Sequence, residues 1–329
     1  LFKENILTYK VRVMNLNNNK INHTAPLWAA LDVLRTSVQN TVYFENNEGQ
    51  YCGAITDIAL RTLLMNATDL DTPCLPHIDS SIPQNCNEEI QGNKPPLKMD
   101  ALLMAGGFGK RLYPLTNDTP KPMLKIGSKP MLEHIILKLK AYGVKNITIS
   151  THYLPEKITE YFGDGSKLEV NIDYVHEDQP LGTGGALALL TKRDKPLLVM
   201  NGDILTGLNI RAFHEYHSIN SNDISVAARP YDFQIPYGVI QTDQSGQVKN
   251  IIEKPVENFL ISAGVYILNP SVYADLEKNQ VIDLPDIVEQ SIKAHQTVNT
   301  FFMWEYWLDI GKRVEYDLAQ TFISHREAS

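Results

Sequence analysis

From about residue 100 onward, short apolar runs alternate with stretches of helical period, and this alternation constrains the fold more than any other feature of the chain. Strands are predicted at Ala101–Ala105, Asn146–Thr151, Asn171–His176 and Leu197–Asn201. Amphipathic helices are predicted between them, at Pro130–Tyr142, Leu154–Phe162 and Gly182–Leu190. A β-α-β-α series implies a largely parallel sheet covered on both faces, because each crossover carries the chain back over the sheet. The expected fold class is α/β, with a mostly parallel, mixed, Rossmann-like sheet. Ligands of such sheets gather at the carboxyl ends of the strands. Those ends are where chemistry should be sought.

The chain has 329 residues, 43% apolar and 21% charged. At about 150 residues per domain, that is length for about two domains. No apolar run approaches the ~18 residues that would span a bilayer. Leu1 to Met14 interleaves Lys3, Glu4, Lys10 and Arg12 with apolar residues and carries no signal-peptide core. A cytoplasmic setting without membrane contact is expected. The chain opens on Leu1, as expected where a natural N-terminus lies further upstream or has been processed. A formal net charge of −8 argues against nucleic acid or an anionic membrane as partner. Any phosphate site must therefore be local. Cys52, Cys74 and Cys86 are odd in number, far apart and without C-x-x-C spacing, so ordinary thiols in a reducing compartment are expected.

Three regions are expected: residues 1–68, a seam at 69–98, and residues 99–329. The seam is rich in Pro, Asp, Asn and Ser, has no sustained apolar period, and reads as a linker or degenerate segment ending at Pro95–Pro96. Before it, residues 20–68 give a helix–strand–strand–helix order. Thr24 is a candidate cap for a helix with apolar face Leu27, Trp28, Leu31, Val33 and Leu34. Strands at Thr41–Phe44 and Tyr51–Ile55 flank the turn-rich Asn46-Asn47-Glu48-Gly49, and Asp57 opens a helix to about Met65. This order, with Gly53-Ala54-Ile55-Thr56-Asp57 leading into the helix, resembles one CBS module, a small α+β regulatory unit. Relatives that bind adenine nucleotides carry an acidic residue three positions after the threonine, where this chain has Ala59. A structural or dimer-forming role, giving a homodimer through this part, is favoured over a ligand sensor.

The first strand of the third region runs into Gly106-Gly107-Phe108-Gly109-Lys110-Arg111-Leu112-Tyr113-Pro114-Leu115-Thr116 and then Thr119-Pro120-Lys121-Pro122-Met123. Three glycines in four residues let the backbone turn with positive φ and present N–H groups to a phosphate chain. Lys110, Arg111, Lys121 and Lys125 stand against Asp118 alone, a local anion site in an acidic protein. The loop is neither a Walker A loop nor G-x-G-x-x-G. Asn201-Gly202-Asp203 ends an apolar strand, where a carboxylate can help hold Mg²⁺ with substrate oxygens. Trp307-Leu308-Asp309-Ile310-Gly311 is a further motif late in the chain.

These motifs, in this order, resemble the sugar-phosphate nucleotidyltransferases, whose signature is G-G-x-G-x-R-L-x-P-L-T followed by P-K-P; the resemblance covers residues 99–329. It implies a nucleotidyltransferase fold, NTP and sugar 1-phosphate as substrates, and Mg²⁺ as cofactor. It implies catalytic roles for Arg111, Lys121 and Asp203, and metal ligation by Asp203 and Asp309. Gly106, Gly107, Gly109, Lys110, Glu177, Gly182 and Thr183 are implied for the nucleotide. Gly238, Glu253, Lys254 and Ser262 are implied for the sugar phosphate, with Glu253-Lys254-Pro255 similar to the family's E-K-P and Ser262-Ala263-Gly264 standing where many relatives have Asn-Ala-Gly. In the loop His176 to Gly185, Glu177 falls where relatives read the base. An ionised carboxylate only accepts hydrogen bonds, which suits the adjacent N–H donors of guanine and favours GTP over UTP or dTTP. With its CBS-like N-terminus, the chain looks like guanylyltransferases of bacterial surface-glycan or nonulosonate pathways. Alternatives are a UTP- or dTTP-specific pyrophosphorylase, a non-catalytic homologue that senses a nucleotide sugar, and a glycosyltransferase. The last needs D-x-D at a strand end, and the one such motif, Asp69-Leu70-Asp71, lies in the seam.

Overall fold

The computed structural model describes residues 20–36, 41–66, 69–82, 95–191 and 194–327. Residues 1–19 and Cys86 lie outside them. The N-terminal part comprises β1 (Lys20–Asn22), α1 (Leu27–Thr36), β2 (Thr41–Glu45), β3 (Tyr51–Thr56) and α2 (Asp57–Met65). β1 runs parallel to β2, and β2 antiparallel to β3. The expected turn is held by Asn46, whose Oδ1 accepts from the N–H groups of Glu48 and Gln50, 2.9 Å each. Thr56 caps α2 by accepting from Ala59 N. Thr24 does not cap α1. Its hydroxyl donates to Asn22 Oδ1, and the helix begins after Pro26.

The seam is less irregular than its composition suggests. Residues 69–82 fold back over the N-terminal part, with Leu70 and Cys74 buried in its core and Ala54 bridged to Asp79. These two side chains cover a core built by other elements, so they show no period of their own. Asp69 accepts from Asp71 N in a local turn.

In the rest of the chain, in order, lie β4 (Asp100–Met104), β5 (Lys125–Ile126), β6 (Lys129–Pro130), α3 (Met131–Ala141), β7 (Asn146–Thr151), α4 (Pro155–Phe162), β8 (Asn171–His176), α5 (Gly182–Gly185), β9 (Leu197–Asn201) and β10 (Ile204–Thr206). There follow α6 (Ile210–Ile219), β11 (Ile224–Gln234), β12 (Val239–Thr242), β13 (Val248–Ile252), β14 (Val256–Leu268), α7 (Pro270–Tyr273), α8 (Leu284–Lys293), β15 (Val298–Phe302), β16 (Trp307–Asp309) and α9 (Arg313–Glu327). A seven-stranded sheet has the order β15-β11-β14-β9-β4-β7-β8. Its β8-β7-β4-β9 portion is parallel, and β14 enters antiparallel between β9 and β11. Alternate residues feed opposite cores: Leu103, Leu198 and Met200 lie in one cluster, Leu102, Leu197 and Val199 in another. This period of two on a sheet buried on both faces is why these strands read as continuous apolar runs.

The helix expected at Gly182–Leu190 is shorter and broken. Gly182–Gly185 makes one α-turn and Ala186–Leu189 continues as a 3₁₀ turn. Three glycines in its first four residues disfavour a longer helix. β11 and β14 run on past the sheet as an exposed ribbon ending in the β12–β13 hairpin. Among the described residues, no helix is long and apolar enough to cross a membrane.

Candidate active site

The glycine-rich loop leaves the carboxyl end of β4, as the strand-end rule predicts. Gly109 has φ +64°, and a Cβ there would lie 3.0 Å from Lys121 Cβ and Thr116 Cγ2. Its left-handed backbone opens the 3₁₀ turn Lys110–Leu112, and its carbonyl accepts from the Thr116 hydroxyl at 2.9 Å. The second basic motif forms the 3₁₀ turn Lys121–Met123 and aims Lys121 beneath the loop.

Two distant aspartates meet there. Asp203 follows β9 across Gly202, whose N–H bonds the carbonyl of Met104. β10 then pairs with β16, setting Ile204 opposite Asp309, and Ile310 N donates to Asp203 O at 3.1 Å. Lys121 Nζ bonds Asp203 Oδ2 and lies 3.9 Å from Asp309 Oδ1. Burial pushes the Asp309 carboxyl above its ordinary range; the like charge of Asp203 adds to this, and Lys121 offsets part of it. The guanidinium of Arg111 lies against Gly311, where a Cβ would be 3.2 Å from Nη2.

A divalent cation fits the donor set. Asp203 Oδ1 is buried without a hydrogen-bond partner, and hard oxygen donors of this kind suit Mg²⁺ with substrate oxygens completing the shell. Among the described residues, no cluster of three or more His, Cys, Asp or Glu is placed to hold a metal. The fit therefore rests on the pair.

A cavity of about 280 Å³ opens beside this cluster. Of the residues expected to act, Gly106, Gly107, Lys121, Glu177, Gly182, Thr183 and Asp203 line it. Glu177 is 6% exposed. Its Oε2 accepts from Leu181 N at 3.1 Å, while Oε1 lies toward Gly106. Thr183 is tied by N–H and hydroxyl to Asp283 Oδ1, at 2.7 and 3.0 Å, which fixes the Gly182 turn against the start of α8. Gly109, Lys110, Arg111 and Asp309 stand outside the cavity wall, Arg111 and Asp309 beside the Lys121–Asp203 pair.

The residues expected for the sugar phosphate lie elsewhere. Gly238 and Glu253 meet at the base of the β12–β13 hairpin, where a Cβ on Gly238 would be 3.0 Å from Glu253 Oε2. Lys254 N donates to Tyr237 O there at 3.3 Å. None of Gly238, Glu253, Lys254 and Ser262 reaches the cavity wall. The Ser262 hydroxyl is 2.8 Å from that of Tyr266 and accepts from Gly264 N. Ser150 and Asp283, which no motif picked out, also stand in the cavity wall, as does Asn201 of the Asn201-Gly202-Asp203 motif. Ser150 Oγ is buried without a partner. Its place near the carboxyl end of β7 was the available signal.

Residues 100–325 match the family described as Nucleotidyl transferase. A mannose-1-phosphate guanyltransferase of Yarrowia lipolytica is 36% identical over 231 residues, covering 66% of this chain and 62% of that protein. Mannose-1-phosphate guanylyltransferase 1 of Arabidopsis thaliana is 36% identical over 234 residues, covering 66% and 63%. The chain thus spans less than two thirds of the length of these relatives. Among solved structures, HddC from Yersinia pseudotuberculosis complexed with GMP-PN superposes with a TM-score of 0.53 at 27% identity, covering 68% of this chain and 99% of that one.

Proposed function

We propose a function for this chain from the premise that it belongs to the nucleotidyl transferase family: it transfers a nucleotidyl group from an NTP to a sugar 1-phosphate, giving an NDP-sugar and pyrophosphate. The observation that carries this reading is Lys121 lying between Asp203 and Asp309 beneath the glycine loop. A carboxylate pair with one buried lysine suits a reaction between phosphates, which needs positioning and charge neutralisation more than acid–base groups.

The glycine-loop N–H groups and Arg111 hold the leaving pyrophosphate. Lys121 neutralises the α-phosphate as the sugar phosphate oxygen attacks in line, with no covalent enzyme intermediate. Lys254 grips the sugar phosphate and Glu253 a sugar hydroxyl, both from the base of the exposed hairpin. Asp203 and Asp309 would hold Mg²⁺, which would supply further charge neutralisation to the phosphates when bound.

The nucleotide is GTP. The buried Glu177 carboxylate lines the cavity, and the relatives named above are guanylyltransferases. The sugar is a hexose 1-phosphate such as mannose, on the strength of those names alone. The N-terminal part, CBS-like in element order, serves as a structural or dimer-forming appendage, and the free Cys52 and Cys74 suit a cytoplasmic setting. The test is pyrophosphate release with Mg²⁺, crossing four NTPs and dTTP with a panel of sugar 1-phosphates. Release confined to pairs of GTP with a hexose 1-phosphate is expected. Silence across the panel, with GTP binding intact by calorimetry, would replace the enzyme with a non-catalytic sensor.

A further inference from the structure

A buried cation from the N-terminal part reaches the segment that carries Asp309. Arg61, on α2, is 2% exposed. Its Nε and Nη2 donate to Asp57 at 2.8 and 3.1 Å, Nη2 also donates to Glu305 Oε1 at 2.7 Å, and Nη1 donates to the carbonyl of Phe302. The guanidinium lies over the rings of Phe301 and Trp304, 4.1 and 3.8 Å from their centroids. Glu305 accepts in turn from the backbone N–H groups of Asn209, at 3.1 Å, and Trp304, at 3.2 Å. The proposed reaction uses none of these residues.

Asn209 and Glu305 sit at one end of the β10–β16 ribbon, and Asp203 and Asp309 at the other. The register runs Thr206 to Trp307, Leu205 to Leu308 and Ile204 to Asp309. At about 3.3 Å per residue, the ribbon is only about 10 Å long. Two strands this short have little stability of their own, so their position depends on how the ends are held. Glu305 clamps the far end: its side chain takes the N–H beyond β10 while its own backbone leads into β16. Gly207 N donates to Tyr306 O at 2.8 Å, and a Cβ on Gly207 would lie 2.8 Å from the Tyr306 ring. Packing that close passes a shift of residues 305–306 on to the ribbon.

A buried carboxylate keeps its charge only beside a cation. Burial pushes Glu305 upward; Arg61, together with the backbone N–H groups that bond its carboxylate, more than offsets this and holds the carboxyl below the ordinary range. Without Arg61, Glu305 must take a proton or turn toward water and release Asn209.

We infer that Arg61 is a positioning residue: through Glu305, the N-terminal part fixes the ribbon that sets the separation and aim of Asp203 and Asp309, and so the affinity of that pair for a divalent cation. The inference rests on reading the two aspartates as cation ligands.

The test is binding of Mn²⁺ to the full chain with GTP present, read from the electron paramagnetic resonance signal of free Mn²⁺ against Mn²⁺ and GTP without protein. In Arg61→Lys the charge remains, but one ammonium cannot bond Asp57, Glu305 and the Phe302 carbonyl with the same fork geometry. Mn²⁺ affinity should fall about tenfold or more while KM for GTP stays within about twofold. A second variant, Arg61→Met with Asp57→Leu and Glu305→Met, removes the network without leaving a buried charge unpaired, and should show the same split with the fold retained. A folded variant that binds Mn²⁺ like the parent overturns the positioning role. A parent that takes up no Mn²⁺ overturns the reading of the aspartates as well, a result distinct from parent and variants binding alike.

Discussion

Lys121 and Asp203 form a half-completed pair: the ammonium takes one carboxylate oxygen, and the other is buried with no partner. Asp309 stands 3.9 Å from the same ammonium, on the strand paired beside Asp203. One lysine thus balances two carboxylates. The arrangement is poised to take up both positive charge, at the aspartates, and negative charge, at Lys121.

Lys121→Met removes the cation proposed to face the transferred phosphate. Turnover is expected to fall about a thousandfold, the scale on which a preorganised charge acts in a transition state. Pyrophosphate release at saturating substrates measures it. A loss below about tenfold would remove Lys121 from the chemistry.

Arg111→Ala tests the leaving-group contact separately. Its guanidinium is exposed and rests on Gly311, so the melting temperature should hold while turnover drops by several orders of magnitude. Near-normal turnover would sink its assigned role.

Glycine positions should divide into two kinds. A Cβ at Gly202 would lie 2.7 Å from the carbonyl of Met104, whereas at Gly107 nothing lies within 4 Å. Gly202→Ala should cost about 1–3 kcal/mol in chemical denaturation. Gly107→Ala should leave stability within about 0.5 kcal/mol and, if the proposed phosphate site is there, raise KM for GTP. Equal stability losses in the two variants would contradict this division.

Glu177→Gln keeps an oxygen for Leu181 N but would give the proposed guanine a donor where it offers donors. kcat/KM for GTP should fall by about 10- to 100-fold relative to UTP. Unchanged base preference would assign base reading to the backbone instead.

The hairpin next to Gly238 and Glu253 supplies a pH prediction. Hydrogen bonds from Ser245, then Lys249, hold the exposed Asp243 carboxyl at about 2, below its ordinary 3.8. Because the folded value is the lower one, the turn's stabilisation is present above pH 3.8 and is lost as pH falls toward 2. Nuclear magnetic resonance titration should show this, and Ser245→Ala should move the midpoint upward. A midpoint that ignores the substitution would assign the shift elsewhere.

What could be read from the sequence followed from how local its physics is. The left-handed turn at Gly109 needs glycine whatever surrounds it, and apolar runs on a doubly buried sheet declare themselves, so loop and strands were legible. The β10–β16 ribbon was not: each strand has three residues, and their pairing joins positions about a hundred apart in the chain. Asp203 and Asp309 were brought together by family resemblance alone, since nothing local in the sequence pairs the two strands that follow and carry them. Arg61 reads as an ordinary basic residue on α2 because its meaning depends on Glu305, 244 positions away. Ser150 looks like any strand serine until the cavity opens beside it. Leu70 and Cys74 were hidden because they cover a core whose period belongs to other elements.

The most direct measurement follows GTP, a hexose 1-phosphate such as mannose 1-phosphate and Mg²⁺ over time, quantifying GDP-sugar and pyrophosphate together. Equal amounts of both are expected, none when the sugar phosphate is omitted, and none when the cation is chelated. Pyrophosphate formed from GTP alone, or labelled pyrophosphate exchanging into GTP without sugar phosphate, would contradict direct transfer at this site.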